Sequence, residues 1–206
     1  MTAAPGDPVD LLARALAQAA AGVEAVREDQ LGDPSPCRAW TVADLVDHLL
    51  DELPRFTARA RGAAPERNTA ARDRNTPASD RGAGDRSTAF RSGAAELVAA
   101  WRQAGDLTGT VELPGMGTVP ARFPVDQQTA EFAVHAWDLA RATGRSPGFD
   151  EEVGRSSLDW ARTALRPEFR GGDASGKAFG PEVQAGPDAA LYDRLAAFFG
   201  RDPARA

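Results

Sequence analysis

The stretch that most constrains the fold is TAEFAVHAWDLARATG, residues 129–144. Its Ala, Glu, Leu and Arg content favours helix, and Phe132 and Leu139 mark the apolar stripe such a helix would bury. On a helix, Glu131 and His135 lie four residues apart and project from one face. They flank the apolar stripe, which places them at the rim of the buried side. The chain has two histidines, and the other is His48, in TVADLVDHLL. Taken alone, a Glu and a His at this spacing are more often a surface ion pair or a hydrogen-bonded core histidine than a metal site. A third ligand-type side chain on the rim of another helix changes that balance.

The other helices read from the same periodicity. Val9, Leu12, Leu16, Ala19, Val23 and Val26 recur at three and four, predicting a helix over residues 8–28 with Asp7 as its cap and Pro8 in its first turn. Thr41 and Asp44 have capping-box spacing, with Asp in place of the usual Glu or Gln, and open a second helix. Its stripe is Val42, Leu45, Val46, Leu49, Leu53 and Phe56. His48 falls at the edge of that stripe, in line with Glu52, Arg55 and Arg59. Pro54 removes a backbone donor, so a kink or an early end is expected there.

Residues 61–86 lack apolar periodicity and read as a long loop, either a lid over a site or a surface insertion. Residues 87–105 restore a helix on Phe90, Ala94, Leu97, Val98 and Trp101, stopped at Gly105. Residues 110–113 and 118–123 around Pro-Gly-Met-Gly predict a hairpin leading into the Glu131/His135 helix. Further helices are expected over 151–165 and 188–199. The expected fold class is therefore all-α: a four-helix bundle with a small β-hairpin before the fourth helix and short helices after it. Residues 1–149 would form the bundle and residues 150–206 a helical extension packed on it.

Composition narrows the function. A chain of 206 residues that is 42% hydrophobic can bury a proper core. Its net charge of −6 argues against nucleic-acid and anionic-membrane partners, which need a concentrated positive surface. No run of 18 apolar residues occurs, and MTAAPGDPVD lacks the pattern of a signal peptide, so a cytoplasmic protein is expected. The single cysteine, Cys37, excludes an internal disulfide framework. The oligomeric state, a homodimer included, is left open.

His48, Glu131 and His135 make a His2Glu set, the three-ligand number that a catalytic zinc site keeps while leaving a fourth position for water or substrate. PSPCRAWTVADLVDHLL, the hairpin around LPGMG, TAEFAVHAWDLARATGR and the closing FFGRDP together resemble the mycothiol-dependent maleylpyruvate isomerase metal-binding family of the DinB-like superfamily. The resemblance implies a DinB-like bundle holding a divalent metal, usually zinc, at His48, Glu131 and His135. It also implies that the metal activates a low-molecular-weight thiol, mycothiol in actinobacteria, toward an electrophilic substrate. The expected activity is a thiol S-transferase or thiol-dependent isomerase. The alternatives are a non-catalytic metal-binding module acting through a partner and a purely structural helical scaffold. About sixty residues follow the second motif, too few for the further domain that the isomerase carries.

Other residues keep two readings each. Cys37 is a fourth ligand, a redox thiol or, more simply, a small buried hydrophobe. Asp138 is a partner that orients a ligand or a solvated helix charge. Arg55 and Arg59 bind an acidic group of thiol or substrate, or pair at the surface with Glu52. Trp40 and Trp137 belong to the core or to a cleft wall.

Overall fold

A computed structural model describes residues 6–37, 40–62, 82–113, 116–145, 148–171 and 179–204, and these residues form six helices and one hairpin. Helix α1, Pro8–Glu24, is capped by Asp7, whose Oδ1 accepts the Val9 N–H at 2.8 Å. It stops short of the expected Glu28. The chain turns at Ala25 toward a 3₁₀ turn at Glu28–Gln30, and Val26 stays buried although it is outside the helix. Burial, which the apolar period reports, does not require the helix to continue.

Helix α2, Val42–Ala60, opens with the reciprocal cap: Thr41 Oγ1 accepts the Asp44 N–H at 3.2 Å, and Asp44 Oδ2 accepts the Thr41 N–H at 3.0 Å. Aspartate at this position reaches the cap as glutamate would. Pro54 does not end the helix, which runs on to Ala60. The proline is exposed, while Leu53, Phe56, Thr57 and Ala60 around it are buried. Burying a large apolar side chain contributes about 1.5–3 kcal/mol, so this packing offsets the roughly 3 kcal/mol cost of an interior proline.

Helix α3, Ala83–Gln103, begins a turn earlier than the sequence predicts. Arg86, expected in a loop, is instead buried in the helix, and its Nε and Nη2 donate to Asp47 of α2 at 2.9 and 3.3 Å. The remainder of that expected loop, residues 63–81, and with it the lid reading, lies outside the described residues. Gly105 ends the segment at φ +88°, the left-handed conformation that favours glycine.

Strands β1 (Thr110–Leu113) and β2 (Gly117–Pro120) pair antiparallel, with Val111 opposite Val119. The second strand is shorter than expected, because Phe123 already starts helix α4, Phe123–Ala142. Pro124 sits in the first turn of α4, where its missing N–H leaves nothing unpaired. Helix α5, Glu151–Ala164, is capped by Asp150, and helix α6, Leu191–Phe198, starts three residues later than expected because residues 187–188 make a turn.

Helices α1 to α4 form the bundle: α1 packs on α4 and α3, and α2 packs on α3 and α4. Helices α5 and α6 then cover the remaining side of α4. In consequence every residue of α4 from Phe132 to Ala140 is buried. A helix apolar or enclosed all round is the axis of a core, not a face of it. Phe56 and Phe90 meet the Phe132 ring edge-on, at centroid distances of 5.9 and 6.1 Å. The architecture is the expected all-α one: a four-helix bundle with its hairpin before the fourth helix and further helices after it. Among the described residues no helix is long and apolar enough to cross a membrane.

Candidate functional site

Helices α2 and α4 run antiparallel, since His48 meets Glu131 and, further along α2, Arg59 meets Gln127. The seam between them carries the three ligand-type residues. Glu131 Oε1 lies 3.2 Å from His48 Nε2 and 3.2 Å from His135 Nε2. The three side chains offer ligand atoms that all lie within 4.8 Å of one another. The expected rim is deeper than the periodicity implies: His48 is 8% and His135 4% exposed, with the Trp40 ring packed beside both.

The two imidazoles are held differently. His135 Nδ1–H donates to Asp138 Oδ2 at 2.9 Å, one turn along α4, and Asp138 is fully buried. With that proton committed, a neutral His135 directs the lone pair of Nε2 at the Glu131 carboxylate. Two acceptors at 3.2 Å are stable together only if a proton or a metal ion lies between them. His48 is held by packing: the Trp40 ring stands 4.6 Å from it and 6.3 Å from His135, forming a wall of the site.

Electrostatics follow from this arrangement. Burial opposes ionisation of Glu131, but the hydrogen bonds from His135 and His48 overcome it and hold its carboxyl well below the usual range. Burial likewise works against a charged His135, and the hydrogen bonds to Asp138 and Glu131 reverse this and raise its pKa. Asp138 is lowered despite its burial, chiefly by the charge of Arg201. The donor set suits a divalent metal. Two imidazole nitrogens and one carboxylate oxygen converge, and one imidazole is fixed by an outer carboxylate, as metal-ligating histidines commonly are.

Arg55 and Arg59 contact residues one helical turn from the triad, Glu52 beside His48 and Gln127 beside Glu131. Arg55 Nη1 donates to Glu52 Oε1 at 2.5 Å, and Arg59 Nη1 to Gln127 Oε1 at 3.5 Å. Glu52 is not a surface residue: it is buried, and burial first, then the charge of Glu131, raises its pKa. Cys37 is half-buried, and burial pushes its thiol up to about 12 even though Arg201 lies beside it. Trp137 is buried and donates to Asp193 Oδ1 at 2.8 Å, tying α4 to α6. Sequence reasoning missed Arg201, whose Nη2 reaches Asp138 Oδ2 at 2.8 Å. Its only sequence signal is its place in FFGRDP. A separate groove of about 660 Å³ lies between α1 and α3, floored by Ala17, Ala20 and Val98, away from the triad.

Comparison with known proteins gives a consistent picture. Residues 12–140 match the family described as the mycothiol maleylpyruvate isomerase N-terminal domain. Two proteins of Mycobacterium tuberculosis, uncharacterized protein MT0763 and uncharacterized protein Rv0738, are each 35% identical over 195 residues, covering 95% of this chain and 98% of theirs. The crystal structure of the mycothiol-dependent maleylpyruvate isomerase superposes with a TM-score of 0.57 at 20% identity, covering 75% of this chain and 68% of that one. A histidine-to-alanine mutant of the isomerase gives 0.55 at 19% identity, with the same coverage. At that identity the structural likeness is one of fold.

Proposed function

The chain belongs to the mycothiol maleylpyruvate isomerase N-terminal domain family, and we propose that it binds one divalent metal ion through His48, Glu131 and His135 and serves as a thiol-dependent S-transferase or isomerase. The observation that carries this reading is the convergence of three ligand atoms within 4.8 Å, from two buried histidines and the half-buried Glu131, with His135 oriented by Asp138. Zinc is the metal that best suits two imidazoles and a carboxylate with one position left open. Bound there, it would supply the Lewis acidity that lowers a thiol's pKa and holds it as the nucleophilic thiolate. The family points to mycothiol or a similar thiol, with an electrophilic small molecule as its acceptor.

The chain's own residues do the rest. Asp138 holds His135 in one tautomer, so that Nε2 faces the centre. Glu131 supplies a single negative charge, which leaves a divalent site near +1 and favours an anionic thiolate over a neutral ligand. Trp40 walls the site beside His48 and limits the approach of water. Residues 1–149 act as the metal-binding bundle and residues 150–206 as an extension on it, a division supported by the packing of α5 and α6 against α4.

Cobalt substitution tests the proposal. Thiolate ligation to cobalt adds an intense near-ultraviolet charge-transfer band that imidazole and carboxylate ligands do not give. Titrating mycothiol or a simple thiol into the cobalt protein should raise this band to saturation. If saturating thiol leaves the spectrum unchanged, the activity is withdrawn in favour of a metal-binding module that acts through a partner.

A further inference from the structure

Cys37, His135 and Asp138 form a second group whose ligand atoms lie within 4.8 Å of one another. Thiol, imidazole and carboxylate would suit a divalent metal. A cation already stands there. Arg201, on the segment after α6, places Nη2 3.0 Å from Cys37 Sγ and 2.8 Å from Asp138 Oδ2. Its Nε lies 3.2 and 3.3 Å from the two Asp138 oxygens, and its Nη1 donates to the Phe199 carbonyl at 3.1 Å. The Arg201 side chain is 10% exposed and that of Asp138 not at all. A planar guanidinium bonded at both edges fixes the plane of the carboxylate it holds. That carboxylate in turn takes the His135 Nδ1–H.

We propose that Arg201 is a positioning residue of the triad: through Asp138 it fixes His135 with Nε2 toward Glu131 and His48, and its guanidinium occupies the place of a second cation, keeping Cys37 out of the ligand set. The first half rests on the reading of His48, Glu131 and His135 as the metal site; the fixing of the imidazole itself does not. Lysine cannot replace Arg201 fully, because an ammonium lacks the fork that grips Asp138 and Cys37 together. Removing Arg201 leaves a buried carboxylate without its counter-charge, a state that favours capture of another cation. Cys37, His135 and Asp138 are spaced to take one.

Three variants test this: Arg201→Ala, Arg201→Lys and the double variant Arg201→Ala/Cys37→Ser, each checked for wild-type helicity by circular dichroism. Metal affinity, measured by chelator competition, should fall about 10–100-fold in Arg201→Ala, the usual cost of losing an outer partner, and less in Arg201→Lys. With cobalt and no added thiol, Arg201→Ala should gain the sulfur charge-transfer band, absent from the wild type and from the double variant. In metal-free protein with 15N-labelled histidine, the wild type should show a slowly exchanging His135 Nδ1–H, lost in Arg201→Ala and partly retained in Arg201→Lys. The nuclear magnetic resonance readout needs no metal. If the wild type takes up no cobalt yet this proton depends on Arg201, the metal reading fails and the positioning role stands. Wild-type metal affinity, an unchanged cobalt spectrum and an unchanged His135 signal in folded Arg201→Ala overturn the proposal, and the lysine variant serves the same comparison should the alanine variant not fold.

Discussion

Asp47 and His48 are neighbours on α2, yet they enter two buried polar clusters that differ in kind. Successive helical residues point about 100° apart, so Asp47 faces α3 and His48 faces α4. Asp47 meets Arg86 through two hydrogen bonds of 2.9 and 3.3 Å, and both side chains are 3% exposed. Opposite charges cancel within the pair. On the α4 side, one carboxylate oxygen is shared by two imidazole nitrogens at 3.2 Å each, and one of these imidazoles has already given its proton elsewhere. Protein atoms complete the first cluster, whereas in the second three ligand-type side chains converge, the arrangement proposed above to hold a metal ion. Burial alone therefore does not single out a candidate ligand set; convergent lone pairs do.

The largest expected effect separates the clusters outright. His48→Ala or His135→Ala should each remove most of the bound metal while leaving the helices formed, since two ligands hold a divalent ion poorly and apolar packing supplies most of the burial. Asp47→Ala should leave the metal in place. Metal analysis with circular dichroism on the same samples reads both, and a folded Asp47→Ala protein without metal would break the distinction.

Stability should respond the other way. Asp47→Ala breaks a buried ion pair by removing one partner and should cost about 3–5 kcal/mol, seen as a lowered denaturation midpoint. Next in size is Asp138→Asn, which keeps the shape of the partner of His135 but loses its charge. Metal affinity should fall about 10–100-fold, or about 1.4–2.7 kcal/mol, by chelator competition. An unchanged affinity would reduce Asp138 to a packing residue.

The pH dependence of the metal-free protein sharpens the contrast further. His135 has a raised pKa, so its stabilising effect is fully present below its unfolded value of about 6.5 and is lost as pH rises through the folded value. Glu131 and Asp138 are lowered, so theirs is present above about 4 and is lost as pH falls through the folded values. Thermal unfolding without metal should therefore show a loss of stability on the alkaline side that His135→Ala lacks. Metal affinity should rise over the same interval, because the metal displaces the His135 proton. The smallest effect is a control on the same helix. Thr41→Ala removes the cap of α2, whose hydrogen bonds go to Asp44 and not to either cluster, and should cost about 1 kcal/mol with or without metal.

How far the sequence could be read divides along the same lines. Asp7, Thr41 with Asp44, and Gly105 announce helix ends because each acts on backbone groups a few residues away. The four stripes of the bundle are legible for the same reason, and with just two histidines in the chain, His48 and the Glu131/His135 pair stand out as the candidate ligands. Pro54 does not end α2 as its local breaking tendency allows, because that tendency is outweighed by the packing of Leu53, Phe56 and Ala60. Arg86 misleads because an arginine in a polar stretch reads as loop until its distant carboxylate is known.

By itself, then, the sequence determined the helices, the hairpin and the two rims that carry the ligand-type residues, since periodicity and capping are interactions among residues at most four apart. Only the tertiary structure decided that α4 is enclosed on all sides, that Glu52 is buried, that Asp138 turns inward and that Arg201 arrives 63 residues later to hold it. Charge pairing in a buried site depends on which chain segments exclude water together, and that is settled by packing between helices and the segment after α6, not by any spacing along one of them.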